Sequence, residues 1–377
     1  MPVNEKRDFA RETRAETSGD ENARILRLSF SGELPYDARM EKIIAVTGGT
    51  GFLGSAVVRR CLERGWSVRV VGRRKKPDVE TPGTEYFSCD VGRDAKRLAE
   101  IFAGADAVFH VAAKAGVWGS RRAYFDANVA GTRNVIAACR EAGVRRLVHT
   151  STPSVVFNGR DIDGGDESLP YCSPRSDACL YALSKAEAER LALAADGPKL
   201  RTVALRPHLI WGEGDPHLIP RVLEQASLGR LRIVGDGKNR VDLTHVENAA
   251  HAHMLALEAL FRDDARVFGK AYFVSDGAPV ALWDWIGAFL EGVGVPRPRA
   301  DRAVPFRSAR FAGTLLEIFW KLFAVAGEPP MTRFVASELA KSHWFKIDAA
   351  RRDLGYAPVV DPAEAFARLV SLYKGRT

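Results

Sequence analysis

A short apolar run that ends in three glycines constrains the fold of this chain more than any other feature. Residues 43–54 read IIAVTGGTGFLG, a buried-strand pattern followed by glycines at three-residue spacing. Glycine allows a turn with positive φ, a close approach of pyrophosphate to the backbone, and tight packing of the next helix on its strand. The helix start then offers free N–H groups to phosphates. We predict a dinucleotide cradle formed by Gly48, Gly51, Phe52, Leu53 and Gly54.

A glycine triplet alone fits either a dinucleotide cradle or a simple tight turn. The surrounding sequence pattern helps to distinguish the two. An amphipathic pattern covers residues 52–64, Gly65 is suited to cap that helix, and residues 67–71 read as the next strand. Strand, glycine turn, helix and strand in this order favour the cradle.

From residue 43 to residue 206, apolar strands alternate with amphipathic helices. This alternation predicts an α/β fold with a doubly wound parallel sheet, the Rossmann type, whose ligands bind at the carboxyl ends of the strands. The predicted strands are 43–47, 67–71, 85–89, 106–111, 146–150 and 201–205. The predicted helices are 52–64, 94–103, 122–142 and 181–195.

The pattern divides the chain into three parts. Residues 1–40 are polar and charged, lack the apolar core of a secretory signal, and are predicted to be disordered. Residues 41–206 are the predicted NAD(P)-binding core. Residues 207–377, where the alternation lapses, are predicted to be mainly a smaller C-terminal substrate lobe with segments that return to the core.

The composition is that of an ordinary globular protein of 377 residues with a net charge of +8. The basic residues are dispersed apart from the run at 73–76, so small anionic ligands explain them more economically than nucleic acid, and no nucleic-acid partner is predicted. Five cysteines without metal-ligand spacing predict reduced thiols in a cytoplasmic protein. They are Cys61, Cys89, Cys139, Cys172 and Cys179.

The ends of the second and third strands bear on which dinucleotide binds. NAD-preferring sites usually place an acidic residue after the second strand, whereas this chain has Gly72, Arg73 and Arg74. A guanidinium group suits a 2′-phosphate, so NADP(H) is the preferred cofactor and NAD(H) is possible. A solvated basic loop is the alternative. Asp90 fits either the adenine amino group or a turn cap, and Val91 is a further predicted cofactor contact.

Small residues follow the fourth strand at positions 110–116 and would let a cofactor lie flat against the backbone. Ala112 is predicted to contact it. Lys114 is the one cation of this run, and it suits an acidic substrate, although a surface lysine is the commoner explanation.

A strand-end hydroxyl and a Tyr-x-x-x-Lys helix point to redox chemistry. Thr152 follows the predicted fifth strand, and Tyr181 and Lys185 share one face of a later helix. The lysine would lower the phenol pKa and reach the ribose of a nicotinamide cofactor. Thr152 would hold the substrate oxygen near the nicotinamide. The sequence thus predicts an NAD(P)-dependent oxidoreductase with Thr152, Tyr181 and Lys185 as catalytic residues.

Over most of residues 43–370 the chain resembles the extended short-chain dehydrogenase/reductases. The resemblance rests on TGGTGFLG at 47–54, NVAGT at 128–132, TST at 150–152, YALSK at 181–185 and ALRP at 204–207. Within that family the chain is similar to the 3β-hydroxysteroid dehydrogenase/isomerase branch. The segments AAKAGVWG at 112–119, TSTPSV at 150–155, LIWGEGD at 209–215 and HWFKIDAARRDLGYAP at 343–358 resemble the bacterial 2-alkyl-3-oxoalkanoate reductases of long-chain olefin biosynthesis.

The resemblance implies roles for single residues. Tyr181 would be the catalytic acid and base, with Lys185 as its partner. Thr152 would donate to the substrate oxygen in place of the more usual serine. Asn128 would fix a local helix geometry or join a proton relay, and Pro207 would line the nicotinamide pocket.

The apolar residues of the lobe bear on the substrate, which we expect to be lipid-like. Residues 309–326 are apolar but carry Glu317 and Lys321, so no membrane-spanning helix is expected. The segment fits a core or dimer helix, a lid over an apolar channel, or a helix resting on a membrane. Trp118 is predicted to line an apolar substrate wall, to which four other tryptophans would contribute: Trp211, Trp283, Trp285 and Trp320.

The sequence gives less information about metal binding and about oligomeric assembly. His245, His251 and His253 are scattered around a predicted helix without a cysteine or carboxylate cluster, so no metal site is predicted. Relatives suggest a homodimer through the helices at 122–142 and 181–195. Peripheral association with a membrane or with pathway enzymes is possible.

Two enzymatic functions remain open at this point. The first is NADPH-dependent reduction of the 3-oxo group of a long-chain 2-alkyl-3-oxoalkanoic acid, and the second is an NAD(P)-dependent 3β-hydroxysteroid or sterol dehydrogenase. Their chemistry is shared, and Lys114 favours the acidic substrate. A non-catalytic dinucleotide-sensing protein is disfavoured because all three catalytic side chains are present, and a nucleotide-sugar epimerase because the lobe is apolar.

Overall fold

The computed structural model describes residues 42–75 and 81–375. The segment predicted to be disordered, residues 1–40, lies outside the described residues. The strands are β1 (Ile43–Thr47), β2 (Ser67–Gly72), β3 (Thr84–Ser88), β4 (Ala107–His110), β5 (Arg146–Thr150), β6 (Ile162–Gly165), β7 (Arg201–Pro207), β8 (Ile210–Trp211), β9 (Arg240–Val241), β10 (Thr244–His245), β11 (Lys270–Val274), β12 (Val280–Ala281) and β13 (His343–Phe345).

The helices of the same residues cover both faces of the sheet and build most of the lobe. They are α1 (Phe52–Glu63), α2 (Ala95–Phe102), α3 (Arg121–Tyr124), α4 (Gly131–Glu141), α5 (Leu180–Ala194), α6 (Leu218–Ser227), α7 (Val246–Phe261), α8 (Leu282–Gly292), α9 (Phe306–Leu322), α10 (Arg333–Ala340), α11 (Asp348–Leu354) and α12 (Pro362–Tyr373). A π-helical segment, Phe125–Ala130, joins α3 to α4.

Seven of the described strands form one parallel sheet in the order β11-β7-β5-β4-β1-β2-β3. Its register places Thr47 beside both Val71 and His110, so the carboxyl ends of β1, β2 and β4 form one edge. The strand order reverses between β1 and β4, which is the point where such sheets bind ligands. The predicted doubly wound α/β fold is confirmed.

The two faces of the sheet bury different side chains of the same strand. Ile44 and Val46 pack in the apolar layer that contains α1 and α7, whereas Ala45 packs in the layer that contains α2 and α4. Successive side chains of a strand point to opposite faces, so a strand covered on both sides must be apolar throughout. This explains the unbroken apolar run of β1.

The six strands predicted from sequence all form, with bounds within two residues of the prediction. The helix predicted at 122–142 forms over residues 121–141, but the π-helical segment within it was not predicted. Within that segment Asn128 is buried and turns its amide towards residue 114 and α5. The wider π turn thus accommodates a tertiary contact that an amphipathic pattern does not reveal.

The chain after residue 207 contributes to two regions. α7 and β11 join the nucleotide-binding core, β11 as its outermost strand beside β7. A separate apolar cluster contains residues of α6, α8, α9, α10 and α12. Trp211 and Trp283 are buried in this cluster, and Trp285 packs against it. These three side chains therefore serve the lobe's interior rather than the predicted substrate wall.

A buried ion pair holds α5 against β7. Arg206 donates to both carboxylate oxygens of Glu189, at 2.9 and 2.6 Å, and the Tyr171 hydroxyl donates to the same carboxylate at 2.7 Å. Burial opposes ionisation, but the guanidinium holds the pKa of Glu189 below its usual range. The position of the catalytic helix thus depends on a charge pair in the interior.

Removing one member of this pair should be costly, because the other charge stays buried without a partner. We expect Glu189→Leu to lower the free energy of unfolding by about 3–5 kcal/mol, measured by urea denaturation. The double variant Glu189→Leu/Arg206→Met should recover most of that loss. The control Glu187→Leu breaks only a surface pair with Arg190 and should cost less than about 1 kcal/mol. A Glu189→Leu variant as stable as this control would contradict the structural role.

Candidate active site

The glycine turn after β1 brings backbone against backbone at the carboxyl edge. Gly48 has φ +72°, and a Cβ there would lie 2.8 Å from the backbone nitrogen of Ala112. A Cβ on Gly54 would collide with the carbonyl oxygen of Gly48. Glycine is therefore required at both positions, which is what a dinucleotide cradle demands.

The N-terminus of α1 opens on a cleft. Gly51 is the N-cap, and no side chain caps the helix. A cavity of about 360 Å³ lies there, lined by Gly51, Phe52 and Ser55 among others. Uncapped N–H groups at a helix start are a binding site for phosphate. The Leu53 side chain is buried in the core, so a cofactor contact at this residue would use its backbone.

The predicted residues at the ends of β2 and β3 lie at the same edge. Arg73 follows β2 directly and is exposed. The Asp90 carboxylate accepts from the N–H of Gly92 at 2.9 Å, so Asp90 caps its turn, the second of its two predicted roles. Val91 is buried, and its carbonyl accepts from the Asn134 amide at 2.9 Å.

A buried histidine fixes the end of β4, just before Ala112. His110 is hydrogen-bonded to Thr47 at 2.8 Å and to Thr132 at 3.0 Å. Burial, with a contribution from Lys185, lowers the pKa of His110 to about 3, so the ring is neutral. The N–H of Ala112 donates to the Thr47 hydroxyl at 3.3 Å. A neutral network thus sets the spacing between β1 and β4.

The three predicted catalytic residues converge. Thr152 is buried after β5, where its hydroxyl accepts from the N–H of Ser154 at 3.3 Å. It lies near enough to the Tyr181 side chain, at the start of α5, to influence the pKa of that phenol. Lys185, one turn further along α5, is buried and donates to the carbonyl oxygen of Thr150 at 2.5 Å. Their catalytic roles stay predictions, but the arrangement suits proton transfer to an oxygen held between Thr152 and Tyr181.

The expected lowering of the Tyr181 pKa is not what the structure shows. Burial raises the pKa of Tyr181 to about 12, and the influence of Thr152 only partly opposes it. Burial lowers the pKa of Lys185 to about 8, against the opposing influence of Glu189. Burial therefore dominates both pKa values, and the phenol stays protonated at neutral pH.

Asn128 connects the 113–116 loop to the catalytic helix. Its amide oxygen accepts from the N–H of Lys114 at 2.7 Å, and its amide nitrogen donates to the Lys114 carbonyl at 3.1 Å and to the Ser184 hydroxyl at 2.9 Å. Neither Ser184 nor Glu189 was predicted as a site residue. Their position on the same predicted helix as Tyr181 and Lys185 is the sequence feature that could have indicated them.

Lys114 and Trp118 lie on one side of this site around Tyr124. The Tyr124 hydroxyl donates to the carbonyls of Gly116 and Trp118, at 2.7 and 3.1 Å. The Lys114 ammonium lies over the Tyr124 ring, 5.1 Å from its centroid. Tyr124 is near enough to Tyr181 for an electrostatic interaction. Both predicted substrate residues are thus grouped around Tyr124, whose hydroxyl lies within electrostatic range of Tyr181.

Pro207 ends β7, and the next residue starts a buried histidine chain. His208 is hydrogen-bonded to the Asp242 carbonyl at 2.8 Å and to His343 at 2.9 Å, and His343 to the Glu338 carbonyl at 2.9 Å. His208, His343 and Glu338 are close enough to be metal ligands, a cluster that the sequence does not suggest. All four ring nitrogens already have partners, which explains the geometry without a metal.

Comparison with known proteins identifies the family. The sequence profile of the 3-beta hydroxysteroid dehydrogenase/isomerase family matches residues 45–303. The chain belongs to this family. It is an NAD(P)-dependent oxidoreductase.

Relatives within this family cover most of the chain. The 2-alkyl-3-oxoalkanoate reductase of Stenotrophomonas maltophilia is 47% identical over 328 residues, which are 86% of this chain and 98% of that protein. The sterol-4-alpha-carboxylate 3-dehydrogenase, decarboxylating, of Mus musculus is 34% identical over 90% of this chain and 93% of its own. The structure of DesIV, a dTDP-glucose 4,6-dehydratase from Streptomyces venezuelae with NAD and DAU bound, matches with TM-score 0.66 and 25% identity over 88% of this chain and 97% of that one.

Tyr181→Phe should abolish turnover while cofactor binding is retained, because the change removes the proton-donating hydroxyl and keeps the ring. We expect a loss of about 10²- to 10⁴-fold in kcat, with cofactor affinity followed by nicotinamide fluorescence. The control Tyr272→Phe removes a hydroxyl that bonds Asp353 away from this site, and it should leave kcat within about twofold. Full turnover by Tyr181→Phe would contradict the assignment.

Proposed function

We propose that this enzyme reduces the 3-oxo group of a long-chain 2-alkyl-3-oxoalkanoic acid to the 3-hydroxy acid with NADPH. The observation that carries the proposal is the grouping of three side chains at the end of β5: Thr152 lies near Tyr181, and the buried Lys185 donates to the Thr150 carbonyl. The 47% identity to a 2-alkyl-3-oxoalkanoate reductase over nearly that protein's whole length supports this substrate class.

Each catalytic residue has a distinct part in this reaction. The nicotinamide, when bound, supplies the hydride. Thr152 and Tyr181 hold the substrate's carbonyl oxygen, and Tyr181 gives it a proton. Tyr181 is protonated at neutral pH, as a proton donor must be. Lys185, fixed on the Thr150 carbonyl, orients the cofactor ribose and Tyr181.

The preference for NADPH rests on Arg73. It stands at the end of β2, where a 2′-phosphate would lie, and it is exposed and positively charged. The acidic substrate rests on Lys114, whose ammonium lies over Tyr124 beside the catalytic tyrosine. Trp118 would contact the apolar chain.

A sterol dehydrogenase is the second candidate, because a sterol-4-alpha-carboxylate 3-dehydrogenase is 34% identical over 90% of this chain. The catalytic residues serve both substrates equally well. Lys114 would bind the carboxylate of a fatty acid or of a sterol acid equally well. The two substrate classes therefore differ only in how the site contacts their hydrocarbon part.

Further aspects remain predictions. A role in long-chain olefin biosynthesis follows from the proposed substrate. A homodimer through α4 and α5 rests on the relatives. All five cysteines are free thiols in the described structure, which suits the cytoplasmic location inferred from the sequence.

The deciding experiment is an oxidation assay with NADP⁺ and with NAD⁺, using a 2-alkyl-3-hydroxyalkanoic acid beside a 3β-hydroxysteroid. The reverse direction avoids 3-oxo acids, which decarboxylate. NADP⁺ reduction with the hydroxy acid alone is expected. Turnover of the steroid alone, particularly with NAD⁺, would contradict both the substrate and the role of Arg73.

Lys114→Met should weaken binding of the acidic substrate without slowing chemistry, because the pair it would form is the same in ground and transition states. We expect KM for the hydroxy acid to rise about tenfold with kcat unchanged. Lys96→Met, an exposed lysine on α2, is the matched control. An unchanged KM in Lys114→Met would remove the carboxylate role.

A further inference from the structure

One helix carries most of the exposed apolar side chains of the described chain. Of the eight large apolar residues that are exposed there, six lie in α9 or directly after it. They are Phe311, Leu315, Ile318, Phe319, Leu322 and Phe323, with exposed fractions of 65, 52, 56, 48, 73 and 61%. The spacing of 311, 315, 318 and 322 places these four on a single face. We call these six residues the α9 apolar face.

The opposite side of α9 is fixed against the protein by small and polar groups. Gly313 packs so closely that a Cβ there would lie 2.7 Å from the backbone of Thr332. Glu317 is buried and accepts from the Arg333 N–H at 2.7 Å and from its guanidinium at 2.9 Å. The helix therefore cannot roll to bury its apolar face without losing the ion pair between the buried Glu317 and Arg333. Core packing, the first of the predicted roles for this segment, does not account for these six side chains.

The charges around the α9 apolar face are basic. Arg307, Arg310 and Lys321 on α9 are exposed. Glu317, the single acidic residue between 306 and 327, is buried and paired with Arg333. Arg310 pairs with Asp177, which leaves Arg307 and Lys321 as the unneutralised flank. An apolar stripe with basic flanks is the composition of a helix that lies in the headgroup region of an anionic bilayer.

The end of α9 lies beside the loop that carries the proposed substrate residues. The Lys321 ammonium is 5.7 Å from the centroid of the Trp118 ring. A Cβ on Gly116 would lie 3.3 Å from the carboxylate of Glu328, which follows α9. The α9 apolar face is thus next to the side of the cleft where Lys114 and Trp118 lie.

We propose that α9 docks this protein on the surface of an anionic lipid bilayer. No helix of the described residues is long and apolar enough to cross a membrane, whereas the 17 residues of α9 can lie about 25 Å along its surface. A second copy on the same face fits less well, because a two-fold contact would set the basic flanks of the two copies together. An anionic lipid surface neutralises those flanks while it covers the apolar stripe.

Flotation of the purified full-length protein with vesicles tests this docking. One set contains phosphatidylethanolamine and phosphatidylglycerol, and the other contains phosphatidylcholine alone. We expect the protein to float with the anionic set. The variant Ile318→Gln/Leu322→Gln should lower the partition coefficient at least about tenfold. Arg307→Gln/Lys321→Gln should lower it about tenfold on anionic vesicles only.

The matched control is Leu228→Gln/Val359→Gln, which replaces two apolar side chains exposed to 52 and 51% outside α9. It should bind vesicles as the unmodified protein does. Equal binding by the control and the Ile318/Leu322 variant would overturn the proposal. So would a wild-type dimer in vesicle-free solution that the Ile318/Leu322 variant converts to monomer, since the face would then belong to a second copy. Vesicle binding is measured without catalysis. The docking proposal would therefore stand even if the enzyme did not catalyse the proposed reaction.

Discussion

The contact between the glycine turn and the end of β4 is the constraint on which the rest of the site depends. Where a Cβ would lie 2.8 Å from Ala112, only a residue without a side chain fits. The strands β1 and β4 can therefore stand side by side with their ends level, held by the neutral link from Thr47 to His110. The crevice, the free helix start of α1 and the small-residue run after β4 all follow from that approach.

A second organising feature is the inward face of α5. Tyr181, Lys185 and Glu189 follow one another at intervals of one turn, and each meets a different strand-end partner. Tyr181 lies near Thr152, Lys185 donates to the Thr150 carbonyl, and Glu189 accepts from Arg206. The helix is thus registered against β5 and β7 by two buried hydrogen-bonded contacts. A slip of one residue would break both.

Structural features that depend on a few neighbouring residues can be predicted from the sequence. Strand and helix positions in the core follow from periodicity, and the glycine turn and the Tyr-x-x-x-Lys helix follow from chemistry confined to a few residues. The π turn around Asn128, the raised pKa of Tyr181 and the interior position of Trp211 depend on neighbours distant in sequence. The burial of a side chain depends on the whole fold. The sequence therefore predicts a lowered pKa for Tyr181, whereas burial raises it. The exposed face of α9 is a further case, since its apolar pattern alone fits a core helix equally well.

The histidine chain beyond Pro207 has a consequence for charge. It begins and ends on carbonyl oxygens, which only accept, so its three hydrogen bonds need three hydrogens on two imidazole rings. Two neutral rings carry two between them, so one of the three contacts lacks a hydrogen while both rings are neutral. Burial holds the pKa of His208 well below its usual range and raises the pKa of the Glu338 carboxyl, whose oxygen lies 3.7 Å from His343. A proton added to the chain and the ionisation of Glu338 would each lower the cost of the other, so the two charges at the junction between β7 and the lobe are coupled.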